Sequence, residues 1–152
     1  MSQSLAKVLA HMAYSTKHRR PWLKDPMLRP QLYAYSAAVL KEQLESPAIL
    51  INGTEDHIHI LFQLSRKYAI KDVVQTSKTE TSKWIKKQST ALSGFQWQAG
   101  YGIFSVSPSN MEVVKRYIAN QEEHHKRISF QDEFRELCRK HGIVIDEQYV
   151  WD

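Results

Sequence analysis

Hydrophobic and polar positions alternate in four stretches of the chain, and this alternation predicts four β-strands. The first is "AKVLAHMAYS", in which Val8, Ala10, Met12 and Tyr14 share one face. The stretch "PAILINGTEDHIHILFQL" predicts two strands, near Ala48–Asn52 and His57–Leu64, joined by a turn at Gly53. The aromatic stretch "FQWQAGYGIFSVS" predicts one further long strand over residues 95–107.

Helical spacing of apolar residues predicts four helices between and after these strands. The first runs from about Leu28 to Leu44, and the second covers residues 68–87, with a basic end. The third begins at Pro108 and runs to about Lys126, and Ser109 with Glu112 fits a capping box at its start. The last is a short amphipathic helix over residues 129–142 that Gly142 stops.

The order of these elements predicts an α+β fold with a ferredoxin-like βαββαβ core. Its sheet would be mostly antiparallel, with helices layered on it and extra helices at the C-terminus. The absence of repeats, low-complexity stretches and Gly/Ser linkers predicts one domain over residues 1–152. The catalytic core would cover about residues 6–127 and a helical tail about residues 128–152.

Composition narrows the class of protein. The chain has 152 residues, 42% of them hydrophobic and 24% charged, which is typical of a globular domain and not of a disordered chain. A net charge of +5 and a pI near 9.3 allow a polyanionic partner such as nucleic acid. The single cysteine, Cys138, excludes an internal disulfide and is expected to be a packing thiol. With no long apolar segment, we expect a cytoplasmic protein without membrane association.

Two histidines, His57 and His59, stand one residue apart at the start of the third predicted strand. Alternation places them on the same face, with Cα atoms about 6.5–7 Å apart, from where both imidazoles can reach one metal ion. The structural alternative is that they hydrogen-bond to nearby backbone or to Glu55 and Asp56. Two ligands alone do not define a metal site, so the pair needs further partners.

The predicted helix after Pro108 supplies such partners. Tyr117 and Gln121 are four residues apart and therefore share one helix face. A phenol beside an amide oxygen is an unusual filling for a core. Combined with the histidine pair, it indicates a phenol nucleophile next to a divalent cation that imidazoles and an amide oxygen would hold.

These motifs together resemble the HUH-type single-tyrosine transposases of bacterial and archaeal insertion sequences. That family includes the related proteins that act on repetitive extragenic palindromes. "DHIHILF", followed about sixty residues later by "KRYIANQEEH", carries the resemblance. The blocks "STKHR" and "QAGYGIFSVS" also match, so the likeness extends over roughly residues 6–127.

The resemblance implies a specific chemistry. Tyr117 would attack a phosphodiester of single-stranded DNA and form a 5′-phosphotyrosine link, which a 3′-hydroxyl would later resolve. His57, His59 and Gln121 would hold Mg²⁺ or Mn²⁺. The family's substrates are single-stranded DNA with imperfect hairpins. Its active sites are shared across a homodimer, and we expect the same here.

Basic and aromatic residues suggest where DNA would bind. The candidates are Lys17, Arg19 and Arg20 after the first strand and Lys83, Trp84 and Lys87 at the end of the second helix. A solvated surface is the alternative for both groups. We expect His11, His124 and His125 to be structural or surface residues, and Trp97, Tyr101 and Phe104 to belong to the core or a dimer interface.

Three other functions stay open at this point. A domesticated relative would use the same chemistry to process genomic palindromes. A non-catalytic module would present sheet aromatics to single-stranded nucleic acid. A metal hydrolase would use the histidine pair, with Glu55 or Asp56, to activate water. The transposase interpretation accounts for the largest number of residues.

Overall fold

The computed structural model describes residues 2–152 and contains a sheet of four strands and five α-helices. The strands are β1 (Leu9–Ser15), β2 (Ala48–Gly53), β3 (His57–Gln63) and β4 (Gly102–Val106). The helices are α1 (Leu28–Leu44), α2 (Ile70–Lys86), α3 (Met111–Ala119), α4 (Gln121–His124) and α5 (Phe130–Lys140). Single 3₁₀ turns occupy Lys17–Arg19, Thr90–Leu92 and Pro108–Asn110.

The sheet has the order β2-β3-β1-β4, and every neighbouring pair is antiparallel. Together with the element order β1-α1-β2-β3-α2-β4, this is the ferredoxin-like arrangement, which confirms the predicted fold class. The histidine strand β3 is therefore a central strand, flanked on both sides.

One face of the sheet packs against α1 and α2 and holds the main core. Ile58, Ile60 and Phe62 of β3 point to this face and are fully buried. The alternation of the strand therefore places His57 and His59 on the opposite face, as predicted. That face is covered by α3, α4 and α5.

Small residues around the two histidines make room for their imidazoles. Ser15 lies opposite His57 and Ala13 lies opposite His59 on the neighbouring strand β1. Gly102 of β4 lies opposite Ala13, and the Phe134 ring of α5 packs directly over it. The result is a depression in this face of the sheet, into which α5 fits.

The predicted long strand over residues 95–107 is wrong in its first half, because only Gly102–Val106 form β4. The earlier part meets the first strand only in an isolated bridge between Thr16 and Trp97, in which the Gln98 N–H donates to the Ser15 carbonyl oxygen and the Lys17 N–H to the Gln96 carbonyl oxygen. Side chains supply further hydrogen bonds to this segment. The Ser15 N–H donates to the Gln98 side-chain oxygen, and the Lys78 ammonium donates to the carbonyl oxygens of residues 98–100.

The predicted helix from Pro108 to Lys126 is divided, and its predicted capping box does not form. A break at Asn120 (φ −97°, ψ 19°) separates α3 from α4. The Asn52 side chain of β2 donates to the carbonyl oxygens of Ile118 and Ala119, which takes these acceptors away from the helix. The side chain of Ser109 bonds to Ser107 and makes no cap.

The last helix agrees with its prediction. Ser129 caps α5 by accepting the Asp132 N–H, and Gly142 follows the helix with φ +68°, a left-handed conformation that glycine adopts readily. None of the helices within residues 2–152 is long and apolar enough to cross a bilayer.

Candidate active site

The structure brings the two predicted motifs together. Tyr117 at the end of α3 and Gln121 at the start of α4 both point towards the histidine pair of β3. The Gln121 Oε1 atom lies 2.9 Å from His57 Nε2, and the Tyr117 ring centre is 5.9 Å from that of His59. Gln121, His57 and His59 are fully buried, whereas Tyr117 is partly exposed.

Glu133 of α5 occupies the centre of this cluster and was not predicted. Its Oε1 atom lies 2.8 Å from His59 Nε2 and 2.9 Å from His125 Nε2. Its Oε2 atom accepts hydrogen bonds from the Tyr117 hydroxyl and, at 3.0 Å, from the Gln121 amide. His124 also approaches Oε2, at 3.3 Å. Only 2% of this residue is exposed.

A second layer of contacts orients the two strand histidines. His57 Nδ1 lies 2.7 Å from Asp56 Oδ1 and 3.0 Å from Thr54 Oγ1. His59 Nδ1 shares a hydrogen bond of 2.7 Å with His11 Nε2 of β1. Both contacts hold the Nδ1 side and turn each Nε2 atom towards the centre. Outer partners of this kind are typical of metal-binding histidines.

Burial and mutual contacts shift the titration of the histidines. Burial, with His59 close by, lowers the pKa of His11 to about 3, so His11 is neutral at physiological pH. Burial also lowers the pKa of His59, although Glu133 opposes this. For His125, burial lowers the pKa, but the hydrogen bond to Glu133 and the Glu133 charge, together with smaller contributions from Ile128 and Asp56, outweigh burial and raise it.

The two acidic groups of the centre are shifted in opposite directions. Burial alone would raise the pKa of Glu133, but His59 and His125 outweigh it and hold this pKa far below its usual range. Burial, with the Glu133 carboxylate alongside, raises the pKa of the Tyr117 hydroxyl. An ionised Glu133 carboxylate therefore accepts a hydrogen bond from a protonated Tyr117 hydroxyl.

The donor set fits a divalent metal ion. His57, His59, His125 and Glu133 each offer one ligand atom, and these atoms all lie within 4.8 Å of one another. Ligand atoms that bond one shared ion at about 2.0–2.2 Å lie at most about 4.4 Å apart, so small side-chain movements would bring all four onto one ion. Three imidazoles and one carboxylate suit the first-row divalent metals.

The hydrogen-bond partners of His57 also favour a cation at its Nε2 atom. The Gln121 amide N–H₂ donates to Glu133, which leaves Gln121 Oε1 facing His57 Nε2. His57 Nδ1 faces the Asp56 carboxylate, which accepts a hydrogen bond from the Nδ1–H group. A neutral His57 would then direct a lone pair at another acceptor. A cation bound by both His57 Nε2 and Gln121 Oε1 would suit two acceptor atoms that face each other in this way.

Glu133 and His125 were missed for different reasons. His125 was expected to be structural or at the surface, although its spacing of four from Gln121 places it on the same face of an unbroken helix as Tyr117 and Gln121. Glu133 did leave a signal in the sequence. It lies on the apolar stripe of α5 with Phe130, Phe134 and Cys138, all buried, and a charged residue on such a stripe indicates a specific partner.

The predicted basic residues are distributed over different surfaces. Lys17 and Lys83 line a groove of about 890 Å³ between α2 and residues 96–101. Lys71, Lys78 and Lys86 line it as well, with Trp97, Tyr101 and Asp152. Arg19 lines a different cavity, of about 420 Å³, which reaches Asp56 and His125 at the edge of the cluster.

The other predicted DNA contacts lie outside these two spaces. The Arg20 guanidinium lies over the Trp22 ring, 4.7 Å from its centre. One face of Trp84 stacks on Tyr35 of α1, with ring centres 5.6 Å apart. Lys87 is exposed at the end of α2.

Comparisons with known proteins agree with the geometry. The sequence matches the family described as "Transposase IS200 like" over residues 4–121. A candidate transposase from Deinococcus radiodurans R1 has a similar fold, with a TM-score of 0.59 and 20% identity, over 80% of this chain and 98% of that one. A REP-associated tyrosine transposase bound to a REP hairpin matches with a TM-score of 0.61 and 12% identity, over 84% and 74% of the two chains. No curated protein sequence matches significantly.

Proposed function

Because the chain belongs to the IS200-like transposase family, we propose that it cleaves and rejoins single-stranded DNA with Tyr117 as the nucleophile. The carrying observation is that the Tyr117 hydroxyl, the two strand histidines and Gln121 meet around one buried centre. Tyr117 is partly exposed, which leaves it a path to a DNA phosphate. A cleft of about 190 Å³ leads to this side chain, and Lys140 and His141 line its wall.

The proposed cleavage is a transesterification. The Tyr117 oxygen forms a bond to phosphorus while the bond from phosphorus to the 3′-oxygen breaks. The phenol loses its proton, and the leaving 3′-oxygen gains one. The products are a 5′-phosphotyrosine and a free 3′-hydroxyl. In strand transfer, a different 3′-hydroxyl attacks the same phosphorus and restores the phenol, so no external energy source is needed.

We propose that His57, His59 and Gln121 hold Mg²⁺ or Mn²⁺. The support is the inward direction of both Nε2 atoms and the Gln121 oxygen that faces one of them at 2.9 Å. When bound, the cation supplies Lewis-acid stabilisation of the charge on a phosphoryl oxygen. Asp56 and His11 orient the two imidazoles through their Nδ1 atoms.

The proposed substrate is single-stranded DNA that carries a hairpin. A structurally similar transposase is bound to a REP hairpin, and the basic groove of this chain offers lysines and aromatic rings together. Lysine contacts to phosphates and aromatic stacking on bases are the general means of holding single strands. Arg19, beside Asp56 and His125, is suited to a phosphate close to the reacting one.

Within one chain, the Tyr117 and His59 ring centres lie 5.9 Å apart, which supports attack in cis as part of the proposal. A homodimer with sites shared between protomers stays a prediction.

Covalent trapping tests the proposed function. The protein is incubated with labelled hairpin-bearing single-stranded DNA and Mn²⁺, and the protein–DNA adduct is measured on a denaturing gel. We expect Tyr117→Phe to abolish the adduct while DNA binding is kept. Tyr149→Phe is the matched control, since Tyr149 is 62% exposed and lies outside the site.

The alternatives give different results in the same experiment. Cleavage that survives in Tyr117→Phe would identify a metal hydrolase that activates water. Binding of the DNA by the unaltered protein, without cleavage under any metal, would identify a non-catalytic binding module. Either result overturns the proposed mechanism.

A further inference from the structure

We propose that Glu133 makes α5 part of the active site, with one carboxylate oxygen completing the cation site and the other holding the Tyr117 hydroxyl. This inference rests on the proposed function for the role of Tyr117. It assigns a task to a segment beyond residues 4–121, where the match to the transposase family ends.

The two carboxylate oxygens face different groups. Oε1 faces the imidazoles, at 2.8 Å from His59, 2.9 Å from His125 and 3.7 Å from His57. Oε2 faces Tyr117 and Gln121, and His124 lies 3.3 Å from it. One rigid carboxylate thus links the metal-binding side of the cluster to the nucleophile.

The burial of this carboxylate argues against a purely structural role. Its hydrogen bonds and ion pairs within residues 2–152 are all with histidine, tyrosine or glutamine side chains. A carboxylate removed from water without an arginine or lysine partner is costly. A leucine or methionine on the apolar stripe of α5 would fill the same space without that cost. A divalent cation would balance the charge.

The position of Glu133 is well determined by the fold. Ser129 caps the start of α5, and Phe134, the next residue after Glu133, packs over Gly102 of the sheet. These two anchors lie on either side of Glu133 in the chain. The carboxylate is therefore held in place before any ligand binds, as a preorganised site requires.

Metal binding tests the first half of the proposal without any need for activity. Mn²⁺ is titrated into the metal-free protein and followed by calorimetry and by the electron paramagnetic resonance of free Mn²⁺. We expect Glu133→Gln to weaken Mn²⁺ binding by about tenfold or more. Glu136→Gln is the matched control, because Glu136 is on the same helix but pairs with Arg139 at the surface. Equal Mn²⁺ affinity in Glu133→Gln and Glu136→Gln would overturn the assignment.

Adduct formation tests the second half. At saturating Mn²⁺, we expect Glu133→Gln to slow single-turnover adduct formation about 100-fold, with DNA binding unchanged. Glu133→Asp, which keeps the charge, should recover part of both Mn²⁺ affinity and rate, and it replaces Glu133→Gln if that variant does not fold. An unchanged adduct rate would overturn the link to Tyr117. If the unaltered protein forms no adduct, the proposed function fails, and the Mn²⁺ titration still decides whether Glu133 binds the cation.

Discussion

The hydrogen bond between His11 and His59 shows how single residues prepare the site. For His59 Nε2 to bind a cation, the imidazole must carry its proton on Nδ1, which lies 2.7 Å from His11 Nε2. His11 can accept that proton's hydrogen bond only if it is neutral. Burial ensures this, because it lowers the pKa of His11 to about 3. A histidine expected to be structural or at the surface thus selects the tautomer of His59, a proposed metal ligand.

On the opposite face of the sheet, Tyr14 illustrates how burial alone shifts a titration. Its side chain is fully buried, and its hydroxyl contacts Ser77 over 3.4 Å. Burial raises the pKa of Tyr14 to about 12 from an ordinary value of 10.0. Between these values the folded state holds a proton that the unfolded state has lost. Folding stability must therefore fall as the pH rises through this range.

A comparison of two tyrosine variants tests this linkage. Between pH 9 and pH 11, we expect the free energy of unfolding of the wild type to fall by about 1 kcal/mol more than that of Tyr14→Phe. Urea denaturation at several pH values measures the difference. Tyr149→Phe, which changes an exposed tyrosine, should follow the wild type. A gap between wild type and Tyr14→Phe that stays constant with pH would contradict the expected shift.

At the scale of elements, the packing of α5 on the sheet determines whether Glu133 reaches the histidine cluster. A Cβ atom at Gly102 would lie 2.5 Å from the Phe134 ring, so this close approach requires glycine. Glu133 precedes Phe134 on α5 and moves with it. The packing of Phe134 against Gly102 therefore helps to position the Glu133 carboxylate.

The substitution Gly102→Ala tests this dependence. The added methyl group must displace Phe134, and we expect a loss of about 1–3 kcal/mol in the free energy of unfolding, together with weaker Mn²⁺ binding. Gly100→Ala is the control, since a Cβ atom there meets nothing closer than 3.6 Å. Denaturation and Mn²⁺ titration of both variants provide the measurement. Full Mn²⁺ affinity in Gly102→Ala would show that the centre tolerates movement of α5.

At the scale of the whole molecule, the basic groove and the polar centre lie on different sides of the sheet. The groove follows α2, whereas the centre lies under α3, α4 and α5. The turn at Lys17–Arg19 links them, because Lys17 lines the groove and Arg19 lines the cavity beside Asp56. His18 and Arg19 both have positive φ, at 57° and 55°, a conformation that is uncommon for residues other than glycine. DNA that uses both surfaces would pass this turn.

The salt dependence of DNA binding tests the groove. We expect the double variant Lys83→Ala/Lys86→Ala to bind single-stranded DNA more weakly and to reduce the slope of log K against log salt by about 1–1.5. Lys24→Ala/Lys41→Ala, with two exposed lysines outside the groove, removes the same charge and is the control. Equal slopes in the two double variants would exclude the groove as the phosphate contact. Binding is measured by fluorescence anisotropy at several salt concentrations.

The sequence by itself determined the strands, most of the helices and the faces of β3, because these depend on periodicity within one segment. Prediction from the sequence failed where side chains from distant segments form hydrogen bonds to backbone carbonyl groups. The carbonyl groups of residues 98–100 bond to Lys78, and those of Ile118 and Ala119 bond to Asn52, so a strand was shortened and a helix was broken. Such competition leaves no trace in the local pattern.

The residues of the candidate site also differ in how far the sequence predicts them. His57, His59, Tyr117 and Gln121 could be selected from the sequence, because their spacing predicts that both members of each pair share a face; Tyr117 and Gln121 still converge although the helix breaks between them at Asn120. Glu133 and His125 left weaker signals, a charge on an apolar stripe and a shared helix face, and the tertiary structure alone brings both to the centre, because α5 packs over small residues of the sheet and the chain breaks at Asn120. Spacing determines which side chains share a face, but only packing between elements determines which faces meet and which charges are buried between them.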